Sequence, residues 1–237
     1  QAYYEWTDSL TAEPNDGKAF FGRDAVANYV LIGAMQLGTE ILSVQDGQVQ
    51  LDFDHDTVRT LWDHYYVPFV KGYFAASGRF RSDDVKTGNV IAFVGSSSGA
   101  TFFPNQVIQS DTESHPIEME AFACPQFAGG QACAVQQGAG MVVTAASEAE
   151  VYASVQFLKW FTQDERNIQF SVDSGYLPVT KSANQMDAIL AHKSNLTPVM
   201  EKVLNVAVDT VNQNRLYTPR AFENGTQVRS ILEYSMS

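Results

Sequence analysis

Basic residues are scarce in this chain, cysteine is nearly absent and long apolar runs are missing. Lys and Arg number 15 against 27 Asp and Glu, giving a net charge of −12 over 237 residues. Affinity for nucleic acid depends on neutralising phosphates with clustered cations, and no basic run exists here, so nucleic acid is excluded as a partner. No stretch approaches the roughly 18 consecutive apolar residues that a membrane helix requires, and no basic-then-apolar signal opens the chain. Histidine is also thin. The four (His55, His64, His115, His192) form no H-x-x-x-H or H-E-x-x-H pair, and "DFDHD" lacks the glycine and closing Glu of a calcium loop, so no metal and no cofactor is indicated.

What is present is enough apolar material, 45% of residues, for one large domain or two smaller ones. The chain opens at Gln1 on the aromatic-rich "QAYYEWTDSL" and stops in "RSILEYSMS", which reads as mid-helix; both ends suggest a piece of a longer protein. The two cysteines, Cys124 and Cys133, flank "PQFAGGQA", whose Gly129-Gly130 pair is a turn signal between short extended runs. That spacing allows a cross-strand disulfide in an oxidising compartment, and equally two small buried thiols.

Strand and helix signals mix along the chain. "AVANYVLIGAMQLG" (25–38) predicts a mostly buried helix ended by Gly38, and "ILSVQDGQVQLDF" predicts a hairpin around Asp46-Gly47. Asp54 or Asp56 caps a second helix running to Pro68. After polar "SDDVKTGN" comes the strand "VIAFV", then the extended "PIEMEAFACP". The last third is helical. Ser147 and Glu150 form a capping box ahead of Val151, Val155, Leu158 and Phe161; Asp164 opens a helix ended by Gly175 and Pro178; "MDAILAHKSN", "TPVMEKVLNVAVDTVNQ" and "NGTQVRSILEY" complete the set. This is an α/β or α+β pattern of more than one layer.

Gly95-Ser96-Ser97-Ser98-Gly99, directly after "VIAFV", matches the G-x-S-x-G nucleophile elbow of serine hydrolases. An elbow needs a helix behind its serine to build the oxyanion hole, yet Pro104 follows within two turns. The downstream histidines are His115, in a polar loop before Pro116, and His192, at a lysine-containing helix end. A hydrolase using Ser97 and His192 therefore stands as the alternative. The favoured reading is a loop of small residues whose hydroxyls and amides hold a polar neutral ligand. A phosphate loop is excluded, because Gly99 is followed by Ala100 and Thr101 rather than Lys.

Four stretches, "DGKAFFGRDAVANYVLIGAMQLGTEI", "VGSSSGATFFP", "VQQGAGMVVT" and "EVYASVQFLKWFTQDERNIQFSVDSGYLPVTKSAN", together resemble the extracellular solute-binding proteins of carbohydrate ABC importers, the class that includes maltose-binding protein. The "FLKWFT" helix, the "N-x-x-F" helix and the "GYLPV" turn occur in that order in similar proteins. The resemblance implies a type II periplasmic-binding-protein-like α/β fold of two lobes closing on a sugar. This chain would supply mainly the second lobe: a second-lobe α/β part over 1–116, hinge-crossing strands and a hairpin over 117–145, and helices packing back over 146–237.

The same resemblance implies an extracytoplasmic, non-catalytic protein that binds a carbohydrate and is recognised by permease subunits, attached to the membrane only through a lipid anchor outside this chain. By position it implies ligand contacts from Arg23 and Asp24, from Gly95, Ser96, Ser97 and Ser98, and from Gln137 and Gly138 with Gly140 as hinge or contact. From the C-terminal side it implies Tyr176 and the "TPRAFENG" residues Arg220, Phe222 and Asn224. An aromatic platform with planar Arg, Asp and Asn groups suits sugar hydroxyls. Trp62 and Trp160 read instead as core residues. A module for a neutral peptide or polyol also remains open.

Overall fold

The computed structural model describes residues 17–236, so the opening "QAYYEW" lies outside the described residues. The described residues form a mixed α/β chain of helices and four small two-stranded sheets. β1 (Ala19–Arg23) pairs in parallel with β4 (Val90–Val94), Arg23 standing opposite Val94. Between them lie α1 (Val26–Gln36), the hairpin β2 (Leu42–Gln45) and β3 (Gln48–Leu51), α2 (His55–Val70) and α3 (Arg81–Lys86). After β4 come a 3-10 turn (Ser98–Phe102), the antiparallel pair β5 (Gln106–Ile108) and β6 (Ser114–Pro116), and β7 (Cys133–Val135). The helical part holds α4 (Glu148–Phe161), α5 (Asp164–Ser174), α6 (Met186–His192) and α7 (Pro198–Gln213), followed by β8 (Arg215–Tyr217) and α8 (Gly225–Tyr234).

Local chemistry accounts for most of these boundaries. Asp46 and Gly47 both adopt positive φ, 50° and 74°, as a two-residue turn matched to strand twist requires. The Asp54 carboxylate accepts the Thr57 N–H at 2.8 Å to start α2. That helix continues past Pro68 to Val70, because a proline in the last turn removes only one ladder bond.

Two apolar cores result. The first gathers Val30, Leu31, Met35, Leu61, Tyr65, Tyr217 and Leu232 from α1, α2, β8 and α8 around α1, which buries nine of its eleven residues. The second joins Ile168, Val172, Ile189, Leu204 and Val208 from α5, α6 and α7. α4 differs from both: the residues of its expected inner face, Val151, Val155, Leu158 and Phe161, are only half-buried, and the helix has no fully buried residue.

Three expectations are corrected. No hairpin joins Cys124 to Cys133: β7 pairs in parallel with β8, far along the chain, and both thiols are free, Cys124 exposed and Cys133 buried. A strand that finds its partner some 80 residues away leaves the Gly129-Gly130 turn without a ladder to close. Trp62 and Trp160 are not core residues, being 36% and 46% exposed. Trp62 stacks on Tyr66 and Trp160 lies under the Arg166 guanidinium at 5.1 Å, contacts that serve a surface aromatic. His115 lies in the short strand β6 rather than in a loop.

Candidate functional site

The C-terminal ends of β1 and β4 lie side by side, the place where parallel strands of α/β proteins present ligand-binding loops. Asp24 follows β1 directly, its N–H donating to Val94 O at 2.9 Å, and Gly95 follows β4. This brings Arg23 and Asp24, which the resemblance implied as ligand contacts, beside the serine turn. Asp24 Oδ1 accepts the Arg81 N–H at 3.0 Å and lies 3.6 Å from Arg81 Nε. Burial holds the Asp24 pKa above the ordinary aspartate value, and the hydrogen bond and charge of Arg81 only partly offset it. Arg23 has turned to a different partner, its guanidinium lying 4.9 Å from the centre of the Tyr29 ring.

The serines organise themselves. Ser96 Oγ accepts the Gly99 N–H at 3.0 Å and lies 3.1 Å from Ser98 Oγ, while Ser98 O accepts the Thr101 hydroxyl at 2.7 Å. The segment behind Ser97 is a single 3-10 turn that ends at Phe102, just before Pro104, rather than the helix of a nucleophile elbow. Among the described residues no hydrogen bond joins the Ser97 hydroxyl to His192 or to any other histidine.

Tyr176 belongs with this turn. Gly175, at φ 73°, ends α5 and lies so close to the serine segment that a Cβ there would fall 2.8 Å from Ser98 Cα and 3.4 Å from Ser97 O. The next residue, Tyr176, is 40% exposed. Gln137 reaches the same end of α1, exchanging hydrogen bonds with the Asn28 side chain at 3.0 and 3.3 Å. Gly138 and Gly140 stand exposed with open space around them.

The C-terminal set does not join this group. Arg220 donates to Val44 O at 3.3 Å, Phe222 packs against the first core, and Asn224 takes a left-handed conformation at the start of α8. Among the described residues no hydrogen bond or ion pair links the three to Arg23, Asp24 or the serine turn.

Sequence reasoning missed Asn28, Arg81 and Glu233. Arg81 is buried; its Nη1 and Nη2 donate to Ala75 O and Gly78 O at 3.1 and 2.5 Å, and Nη1 lies 2.5 Å from Asp84 Oδ2. Only the i, i+3 Arg–Asp spacing in "RSDDVK" signals that pair. Glu233 carries its carboxylate to the start of α1, accepting the N–H groups of Val26 and Ala27 at 3.0 and 2.9 Å. No local pattern announces a cap from 207 positions away.

These groups can accept and donate many hydrogen bonds without a nucleophile–base pair, which is the chemistry of holding a polar molecule. A family model described as bacterial extracellular solute-binding protein matches residues 5–197, well over half of the chain. The chain belongs to this family. No curated protein matches it. Membership supports an extracytoplasmic substrate-binding role, with a ligand and a transporter permease as partners, in a family of generally non-enzymatic members. The matched range of this solute-binding protein takes in Arg23, Asp24, the serine turn, Gln137, Gly138 and Tyr176, and ends before Arg220, Phe222 and Asn224.

Proposed function

We propose that this solute-binding protein is the carbohydrate-binding component of an ABC importer, taking its sugar at the β1 and β4 strand ends and presenting it to the permease. The closeness of Asp24 to Gly95 at the strand ends, with the Gly175-Tyr176 turn packed on Ser97 and Ser98, carries the reading. Together they offer a carboxylate, uncharged hydroxyls and an exposed aromatic residue, the set that suits a ring with hydroxyl edges and C–H faces. Gln137 and Gly138 join the group from the segment read as the hinge crossing, within a division into 1–116, 117–145 and 146–237. Ligand binding favours a closed state that the permease recognises. Ser97 contributes a hydrogen bond and performs no chemistry.

A thermal-shift screen of mono- and disaccharides tests the class. A ligand present at about 100 times its Kd adds roughly 2.7 kcal/mol, worth about 5–10 °C in a chain of this size. No stabilisation by any sugar sinks the carbohydrate assignment. Ser97→Ala weakens binding while leaving the fold intact, and covalent labelling of Ser97 by a fluorophosphonate probe would overturn the non-catalytic role.

A further inference from the structure

Arg81 is buried and held by its own protein. Two of its nitrogens hold the carbonyls of Ala75 and Gly78, and its charge is shared between Asp84 and Asp24. Asp84 completes the clamp by accepting the Gly78 N–H at 2.7 Å through Oδ1. Buried and turned onto these partners, the guanidinium is not presented to an anionic ligand. Arg81 acts on Asp24 twice: its backbone N–H donates to Oδ1, and the charge on Nε lies 3.6 Å from the same oxygen.

Asp24 Oδ2 is in the opposite situation. Among the described residues it accepts no hydrogen bond, although the side chain is only 27% exposed. It faces Gly95, and a Cβ on that glycine would fall 3.4 Å from Oδ2 and 2.8 Å from the Phe93 ring. The missing side chain keeps open the space through which a donor reaches the carboxylate. A partly exposed carboxylate oxygen that no protein donor holds is free to accept one from a ligand.

We propose that Asp24 Oδ2 and the gap at Gly95 form the anchor for a hydroxyl or ammonium donor of the ligand, with Arg81 as the positioning residue that fixes the carboxylate. The anchor rests on the binding role proposed above and narrows its ligands. Asp24, Asp84 and Arg81 together carry one net negative charge, and Arg23 is turned onto the Tyr29 ring, so neutral sugars and amino sugars are admitted and sugar acids are repelled. Asp84 and Arg81 are also the charged groups facing Asp24, so the affinity follows its titration.

Calorimetric titration of the chain with glucose, maltose, glucosamine and gluconate tests this, alongside Asp24→Asn, Gly95→Ala and Arg81→Lys. The expected result is binding of a neutral or amino sugar at least tenfold tighter than gluconate, reduced tenfold or more by Asp24→Asn and by Gly95→Ala. Wild-type affinity falls as pH is lowered through the Asp24 midpoint. Arg81→Lys keeps a charge but loses the planar fork, and it moves that midpoint to higher pH, which a merely structural arginine would not do. Binding that survives Gly95→Ala and Asp24→Asn within threefold overturns the anchor and leaves the carbohydrate role standing. No heat from any sugar overturns the carbohydrate role instead, and the anchor is then judged by the carboxyl-carbon NMR titration of Asp24. A midpoint higher in Gly95→Ala and Arg81→Lys than in wild type supports it, and one common midpoint overturns it.

Discussion

Replacing Glu233 by Ala removes the acceptor for the first two N–H groups of α1. Val26 and Ala27 are 8% and 0% exposed, so water replaces the lost bonds poorly. Ala25, the residue in the capping position, is left-handed at φ 54° and has no oxygen to substitute. Each buried donor left unpaired costs about 1–3 kcal/mol, and loss of a negative charge at the helix start adds a few tenths to about 1 kcal/mol. Partial hydration of the helix end takes the lower part of that range, for a total of about 2–4 kcal/mol. At roughly 2–4 °C per kcal/mol, the melting temperature drops by about 4–16 °C. Glu233→Gln keeps one acceptor and falls between wild type and Ala. Chemical denaturation gives the free energies, and amide hydrogen exchange of Val26 and Ala27 reports the site itself. An alanine variant within about 0.5 kcal/mol of wild type, the range of an ordinary surface change, refutes the reasoning.

Gly175→Ala forces a left-handed alanine and pushes its Cβ to 2.8 Å from Ser98 Cα. Strain and overpacking together cost about 2–4 kcal/mol in denaturant titration, and wild-type stability would mean that α5 does not dock on the serine turn. Hydrogen bonds from Thr57 to Asp54, from Ser147 to Glu150 and from Thr180 to Asp164 lower the three carboxyl pKa values below their ordinary 3.8, 4.5 and 3.8. Their stabilisation is complete above those ordinary values and lost as pH falls through the lowered folded ones. Asp24, with its raised pKa, runs the other way, favouring the fold below 3.8 and ceasing to do so as pH climbs through its folded value. Melting temperature is therefore expected to begin falling on acidification below pH 4.5 and to fall further below 3.8, less steeply once Asp54, Glu150 and Asp164 are amides; an unchanged slope counts against these caps. Maleimide labels only Cys124 in the native protein and both thiols in denaturant, since burial covers Cys133 and pushes its thiol pKa up; no label in either condition would mean a disulfide.

Local chemistry made much of the fold legible. The Ser147–Glu150 capping box, the Asp54 cap, the Asp46-Gly47 turn and Pro198 at the start of α7 each act within four residues, and each appears where the sequence put it. Apolar spacing also found the inner face of α4, but periodicity says which side turns inward and not how deeply it is covered. The parallel pairing of β7 with β8 was illegible, because a strand three residues long carries no mark of a distant partner, and a turn signal between two cysteines suggested a nearer one. At the candidate site the strand ends and the serine turn could be read from one segment each. Arg81 and Glu233 act across the fold on groups that sequence order keeps apart, so their residue types alone gave no hint.

The Glu233 contact also constrains when the first core can be completed. α1 is made early, but the group that satisfies its leading amides arrives 207 residues later, and β7 likewise waits for β8. A chain emerging from the ribosome can collapse around α1 and α2 but cannot finish that core until α8 has left the exit tunnel. Order of synthesis is therefore not order of folding here, and the closure of so long a loop makes this joint a late and slow step.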